Sequence, residues 1–239
     1  AATQRNAAPP STPPAPTPKT GATCASAADG DDRDLAFRVC TDEAKTGSVV
    51  AERRLAGLYD RSQVPGHDAE AVNWYRKAAE AGDLPSLLRL GQLLHLGKGV
   101  PQNELDATAK IKQAAEADYQ PAWTVLAERF EQGLGARKSD KDASYWYRKA
   151  AEKGEVTAMA KVGDMYARGK GVDKDEGEAV NWFRRAADRG NAEAQYGLGM
   201  AYLRGRGLQK SDSLAYEWLK KAAAQGHTEA QKEVAKRKT

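Results

Sequence analysis

Trp74, Trp146, Trp182 and Trp218 fall on a common spacing of 36 residues, with Lys110 in the slot between the first two. Each tryptophan is followed by an aromatic or apolar residue, two basic residues and an alanine pair: Ala78-Ala79, Ala150-Ala151, Ala186-Ala187 and Ala222-Ala223. The lysine unit keeps the pair as Ala114-Ala115. Three residues later stands Gly82, Gly154, Gly190 or Gly226, with Asp118 in the exceptional unit. A period of this length constrains the chain more than any other feature. Each unit is one supersecondary element that cannot bury its apolar face alone, so the units must stack.

A second set of positions keeps the same register. Gly91, Gly163 and Gly199 precede Leu94, Tyr166 and Tyr202 by three, and then come Gly97 and Gly99, Gly169 and Gly171, Gly205 and Gly207. The exceptional unit offers Ala127, Phe130, Gly133 and Gly135. Each unit therefore reads as helix A, a glycine-rich turn, helix B and a short turn. The spacing predicts helices A over 48–60, 84–96, 120–132, 156–168 and 192–204. It predicts helices B over 68–81, 104–117, 140–153, 176–189 and 212–225. Asn103, Ser139, Asp175 and Ser211 are N-caps for helix B, each followed by a carboxylate that suits the positive end of the helix dipole.

A mid-helix glycine costs about 1 kcal/mol relative to alanine, so Gly91, Gly163 and Gly199 need a compensating role. Close approach of helix A to its neighbour supplies one, the alanine pairs do the same for helix B, and the tryptophans fill the wedge between units. Residues 32–46, with Leu35, Phe37 and Val39, read as an unpaired helix capping the first unit. Residues 228–238 begin like another helix A and turn polar at Lys236, Arg237 and Lys238, as a terminal cap should. The expected fold is all-α: a right-handed alpha-solenoid of about five 36-residue helix-turn-helix repeats with N- and C-terminal capping helices. Its divisions are a Pro/Ala/Thr-rich disordered linker over 1–22, a capping segment over 23–47, and the solenoid over 48–239.

The linker holds Pro9, Pro10, Pro13, Pro14, Pro16 and Pro18, a composition that favours extended chain. The chain begins at Ala1, and the expectation is a mature or trimmed product whose export signal has been removed. Cys24 and Cys40 are the only cysteines. A disulfide between them would close a loop of about 17 residues, worth roughly 3 kcal/mol in the chain-entropy model. It would suit an oxidising compartment. Two unrelated reduced thiols are the alternative. No stretch approaches the roughly 20 apolar residues of a membrane-spanning helix. Net charge is +4, from 37 Lys and Arg against 33 Asp and Glu. The two signs are interspersed, as in Arg76, Lys77 and Glu80, which argues against a nucleic-acid face.

Helix A with Leu198, Gly199, Tyr202, Gly205 and Gly207, followed by helix B with Ala215, Trp218, Ala222, Ala223 and Gly226, resembles the Sel-one-like repeat (SLR), a branch of the tetratricopeptide superfamily. The resemblance covers residues 48–226. It departs in the second full unit at Lys110, Asp118 and Ala127, where a looser or bent joint is expected, and in the first unit, which lacks the glycine-rich turn. The resemblance implies an adaptor in protein assembly, and among bacterial members an exported one acting at the cell envelope. It also implies that helix A lines the concave surface. The inward positions that do not pack are Leu88, Gln92, His95, Glu128, Glu131, Asp164, Arg168, Tyr196, Met200 and Arg204. They vary between units while the packing positions repeat. The middle is acidic (Glu128, Glu131, Asp164), and the C-terminal end is apolar and basic (Tyr196, Met200, Arg204). A peptide or helix would place its basic portion toward the middle and a carboxylate near Arg204; an ordinary solvated face is the alternative.

Catalytic or metal chemistry finds no foothold. The Gly-x-Gly turns follow no strand and carry no nucleotide motif. His67, His95 and His227 are scattered, without partners at metal-ligand spacing. The expectation is a non-enzymatic scaffold without a cofactor or metal, with a protein or peptide partner, located in the periplasm or secreted. An exported hydrolase or a protein binding a cell-wall component is the second reading, and an intracellular assembly adaptor with reduced thiols the third. The basic pairs after each tryptophan read as an outer ladder whose stems pack over the rings.

Overall fold

Most of the helices begin where a side chain takes over an orphan backbone donor; α4 (His67–Glu80) and α7 (Pro121–Gln132), which start after Gly66 and Gln120, do not. Asn103, Ser139, Asp175 and Ser211 each accept a hydrogen bond from the amide three residues on. Asp83, Glu155 and Asn191 do the same for helices A. The helices A after the first stop at glycines in the left-handed region, such as Gly169 at φ 69°, while the first stops at Arg61 in the right-handed region.

The computed structural model describes residues 21–237. The expected linker over 1–22 lies outside the described residues, apart from its last two. Two helices, α1 (Cys24–Ala28) and α2 (Arg33–Lys45), form the N-terminal cap. Five A/B pairs follow: α3 (Val49–Asp60) with α4 (His67–Glu80), α5 (Leu84–Leu96) with α6 (Glu104–Glu116), and α7 (Pro121–Gln132) with α8 (Asp140–Glu152). The last two are α9 (Val156–Arg168) with α10 (Glu176–Ala187) and α11 (Ala192–Arg204) with α12 (Asp212–Ala224), before a terminal α13 (Thr228–Ala235). Every expected helix A and helix B span is met within two residues. Among the described residues there is no strand, and none of the helices is long and apolar enough to cross a membrane.

Packing is sequential: each helix lies chiefly against the one before and the one after. One apolar cluster runs from Ala56 to Ala201 through four of the helix pairs and into the fifth, so the repeats share a single continuous core. Two kinds of glycine let the backbones meet. Within a pair, a Cβ on Gly163 would stand 2.6 Å from the Phe183 ring of helix B. Between pairs, Gly171 has φ 73°, and a Cβ there would overlap the backbone carbonyl of Asp140, the first residue of the preceding helix B. Gly99, Gly135 and Gly207 sit on Asp68, Glu104 and Glu176 in the same way. The turn of each repeat is thus seated on the helix B of the repeat before it.

Trp146 and Trp182 are buried, while Trp74 and Trp218 are half-buried against the same core. The basic residue three positions on lies over each ring: Lys77 over Trp74, Lys149 over Trp146, Arg185 over Trp182 and Lys221 over Trp218, at 4.0–5.4 Å. Such cation–π contacts contribute about 0.5–1 kcal/mol at exposed sites. The second of each basic pair is thereby engaged with its own tryptophan.

The second unit makes up for its missing repeat residues with others. Asp118 adopts φ 63°, the only non-glycine in the left-handed region among the described residues, so the turn is kept. Aspartate tolerates that region better than most residues. Trp123, off the 36-residue register, is fully buried, donates from its indole N–H to the Ala115 carbonyl at 3.1 Å, and has Lys149 over its ring. Gln195 and Gln231 donate to the Ala187 and Ala223 carbonyls from the equivalent position, so helix A repeatedly satisfies the open C-terminal end of the helix B before it.

The N-terminal cap differs from expectation. Helix α2 is not unpaired, because α1 packs on it through the Cys24–Cys40 disulfide. Both cysteines are buried, and the Cys24 amide donates to Glu43 Oε1 at 2.7 Å. Together with Leu55 and Leu58 of α3 they form a second small core.

The two classes of turn glycine predict different costs. Gly190 has φ 88° and open space around it, so Gly190→Ala should lose only the left-handed penalty of about 1–2 kcal/mol. Gly171→Ala carries the same penalty plus a backbone collision, and should lose a further 1–3 kcal/mol or so. Urea denaturation of the two variants checks the order.

Candidate partner-binding surface along helix A

The ten expected surface residues lie on α5, α7, α9 and α11 at i, i+4 or i, i+3 spacing, which puts those of each helix on one face. All ten are half-buried or exposed. The structure gathers them into two recesses with an ion cluster between. The first recess, about 190 Å³, lies between α5 and α7 and is lined by Gln92, His95, Val125, Glu128 and Gln132 among others. The second, about 240 Å³, lies between α9 and α11 and brings together Asp164, Arg168, Tyr196, Met200 and Arg204. Leu88 joins neither and packs against the core.

Glu131 also joins neither. Its carboxylate accepts from Tyr147 Oη at 3.0 Å, from Lys161 Nζ at 3.2 Å and from Lys170 Nζ at 3.0 Å. Burial works against the Glu131 charge, yet the hydrogen bonds from Lys170 and Lys161 outweigh it and hold the carboxyl below the ordinary glutamate range. Lys170 is raised by the same bond. Burial, followed by the Glu131 charge, pushes the Tyr147 hydroxyl up. Asp164 is likewise occupied, pairing with Arg168 at 2.7 Å. The acidic midsection is therefore largely neutralised from within.

Glu128 is the exception. It has no ion pair within 4.0 Å among the described residues. Burial, with Glu131 and Glu155 adding to it and Lys161 opposing, holds its carboxyl above the ordinary range. A half-buried carboxylate without a direct ion pair is a place where a partner's cation gains most.

Behind the first recess lies a polar group that the spacing does not reveal. Arg129 is buried, donating to Thr108 Oγ1 and to Glu104 Oε2, while His95 Nδ1 lies 2.7 Å from Glu104 Oε1. Burial disfavours the Glu104 charge, but the bonds to His95 and Arg129 prevail and lower its pKa. The hint was Arg129 itself, standing where the other repeats carry Leu93, Met165 and Ala201. His95 is thus tied to the scaffold as well as to the recess. His227 caps α13, stacks on Tyr196 at 4.5 Å and meets Glu193 at 3.0 Å. Among the described residues no three His, Cys, Asp or Glu are placed to hold a metal.

This geometry defines a class: an all-helical repeat solenoid whose packing residues recur and whose helix A face carries the variation. The Sel1 repeat model matches residues 49–83, 84–119, 125–155, 156–191 and 192–227. The chain belongs to the Sel1 repeat family. A Sel1 repeat protein from Oxalobacter formigenes is 30% identical with a TM-score of 0.73, over 81% of this chain and 79% of that one. A protective antigen of uropathogenic Escherichia coli strains, displaying an SLR fold, is 30% identical with a TM-score of 0.80 over 85% of this chain. This chain spans 44% of that protein's length. No curated protein matches the sequence.

The Glu131 cluster predicts an acid dependence. A carboxyl whose folded pKa is lowered contributes stability above its unfolded pKa, and loses it as pH falls through the folded one. Glu131→Gln should lower the melting temperature at pH 7. It should also flatten the fall in stability between about pH 5 and pH 3, as thermal melts across that range would show.

Proposed function

We propose that this protein is a non-enzymatic scaffold that holds a protein or peptide partner along the concave helix A surface, in a regulatory or assembly process of a bacterial envelope. The observation that carries the reading is the distribution of charge along that face. Most acids and bases there are paired with each other, and the exceptions stand at the two recesses. Glu128 lies in the first without a direct ion pair among the described residues, and arginines line the second. A face meant only for solvent has no reason to keep a carboxylate half-buried and unpaired.

Sel1 repeat proteins generally serve as protein-interaction scaffolds, and the E. coli neighbour is described as a protective antigen. The buried Cys24–Cys40 disulfide supports an oxidising compartment over an intracellular adaptor with reduced thiols. A partner would cross the neutralised middle with a basic group at Glu128 and an acidic one at the α9–α11 end.

Glu128 is the clean probe, because Glu131 is tied to three scaffold side chains. Glu128→Lys should reduce affinity capture of the partner from the native host by at least about tenfold, corresponding to about 1.4 kcal/mol. Glu128→Gln should give a smaller loss. Both variants should melt close to the parent. Undiminished capture by Glu128→Lys, or loss only on changing the opposite helix B face at Arg184, would reject the reading.

A further inference from the structure

We infer that the recess between α9 and α11 is an anchor for an acidic peptide segment of the partner, taking one bulky apolar side chain inside and setting adjacent carboxylates on Arg204 and Arg206. This rests on the helix A face being the partner surface and adds the chemistry of what it grips.

The recess exists because of one residue. At the position equivalent to Gly197 the other repeats carry Arg53, Arg89, Val125 and Lys161. Three of these are long cations with a partner on a neighbouring repeat: Arg53 bonds Asp83, Arg89 bonds Asp60 and Lys161 bonds Glu131. Gly197 has no side chain to send across. A Cβ there would stand 2.9 Å from the Phe183 ring, so that ring backs directly onto the opening. Val180, Tyr196 and Met200 complete the apolar lining. The Tyr196 ring is held by its stack on His227, so one wall is pre-set before anything binds.

Size selects a side chain. A dry cavity of about 150 Å³ accepts benzene, and 240 Å³ is ample for a phenylalanine or leucine side chain. It is smaller than the roughly 300–1,000 Å³ of small-molecule sites. The recess also opens on the same helix A face as the α5–α7 recess, which suits an extended chain rather than a compact metabolite.

Charge selects the neighbours of that side chain. The two acids on the rim have cations of their own: Asp164 pairs with Arg168 at 2.7 Å and Glu176 with Lys174 at 2.9 Å. Arg204 and Arg206 line the same opening, and among the described residues no carboxylate comes within 4.0 Å of either. Two uncompensated guanidiniums beside an apolar pocket match a bulky apolar residue flanked by aspartate or glutamate.

The test uses the full chain and a fluorescein-labelled peptide, Gly-Ser-Asp-Phe-Asp-Asp-Ser-Gly, read by fluorescence polarisation. Saturable binding is expected. It should weaken by at least about tenfold when phenylalanine is replaced by alanine, when the aspartates are replaced by asparagines, and in the double variant Arg204→Glu with Arg206→Glu. Both arginines are exposed, so the double variant should fold normally. Ala167→Leu, which fills the rim from α9, should give the same loss, with its melting temperature checking that the fold is intact. Failure of the peptide to saturate, or equal binding by the arginine variant, would overturn the assignment. So would 3-phenylpropionate binding as tightly as the peptide, since the site would then be one for a free aromatic acid. Loss of partner capture in Glu128→Lys but not in the arginine variant would overturn this anchor and leave the helix A reading standing.

Discussion

Everything in this molecule depends on backbone reaching backbone without a side chain between. Gly171 and its equivalents seat the turn of one repeat on the first or second residue of the preceding helix B, and Gly163 and its equivalents bring helix A against helix B inside a pair. The alanine pairs of helix B, nearly all of them buried, extend the same close contact. These approaches position the tryptophans against a core that runs unbroken across the repeat boundaries. No repeat owns a complete core. Stability is therefore a property of neighbours, which is why both ends carry extra helices.

Because small residues handle the packing, the outward positions of helix A are free to differ. The chain uses that freedom in two ways. At Glu131 it builds an internal ion cluster with Lys161, Lys170 and Tyr147 that ties the third repeat to the fourth. At Glu128, Arg204 and Arg206 it leaves charge unmatched. The same register position that sends Lys161 across the face in one repeat is Gly197 in the next, and a recess opens there. Cross-repeat ion pairs and an open recess are thus alternative uses of equivalent positions.

Much of the fold was legible because its determinants recur. Spans, N-caps and left-handed glycines follow from residues that repeat every 36 positions, and each repetition checks the others. The misses share a cause. Helix α1 is held by a disulfide and a contact to Glu43, both outside the repeat pattern. Trp123 compensates for an irregular unit from a position that carries no tryptophan elsewhere. The pairing of Glu131 depends on Lys161 and Lys170, 30 and 39 residues away, so reading helix A faces alone made the middle look more acidic than it is. The α9–α11 recess was half visible: Tyr196, Met200 and Arg204 were on the expected face, but the weight of Gly197 shows only once Arg53, Arg89 and Lys161, at the same register position, are seen reaching across to partners on neighbouring repeats.

The most direct measurement is the equilibrium unfolding of chains shortened from the C-terminus at residues 191 and 155, beside an isolated 156–191 repeat, followed by circular dichroism in urea. Nearest-neighbour stacking predicts that stability and the denaturant slope fall with each repeat removed and that the lone repeat has no cooperative transition. An isolated repeat that folds cooperatively, or a chain ending at 155 as stable as the whole, would contradict it.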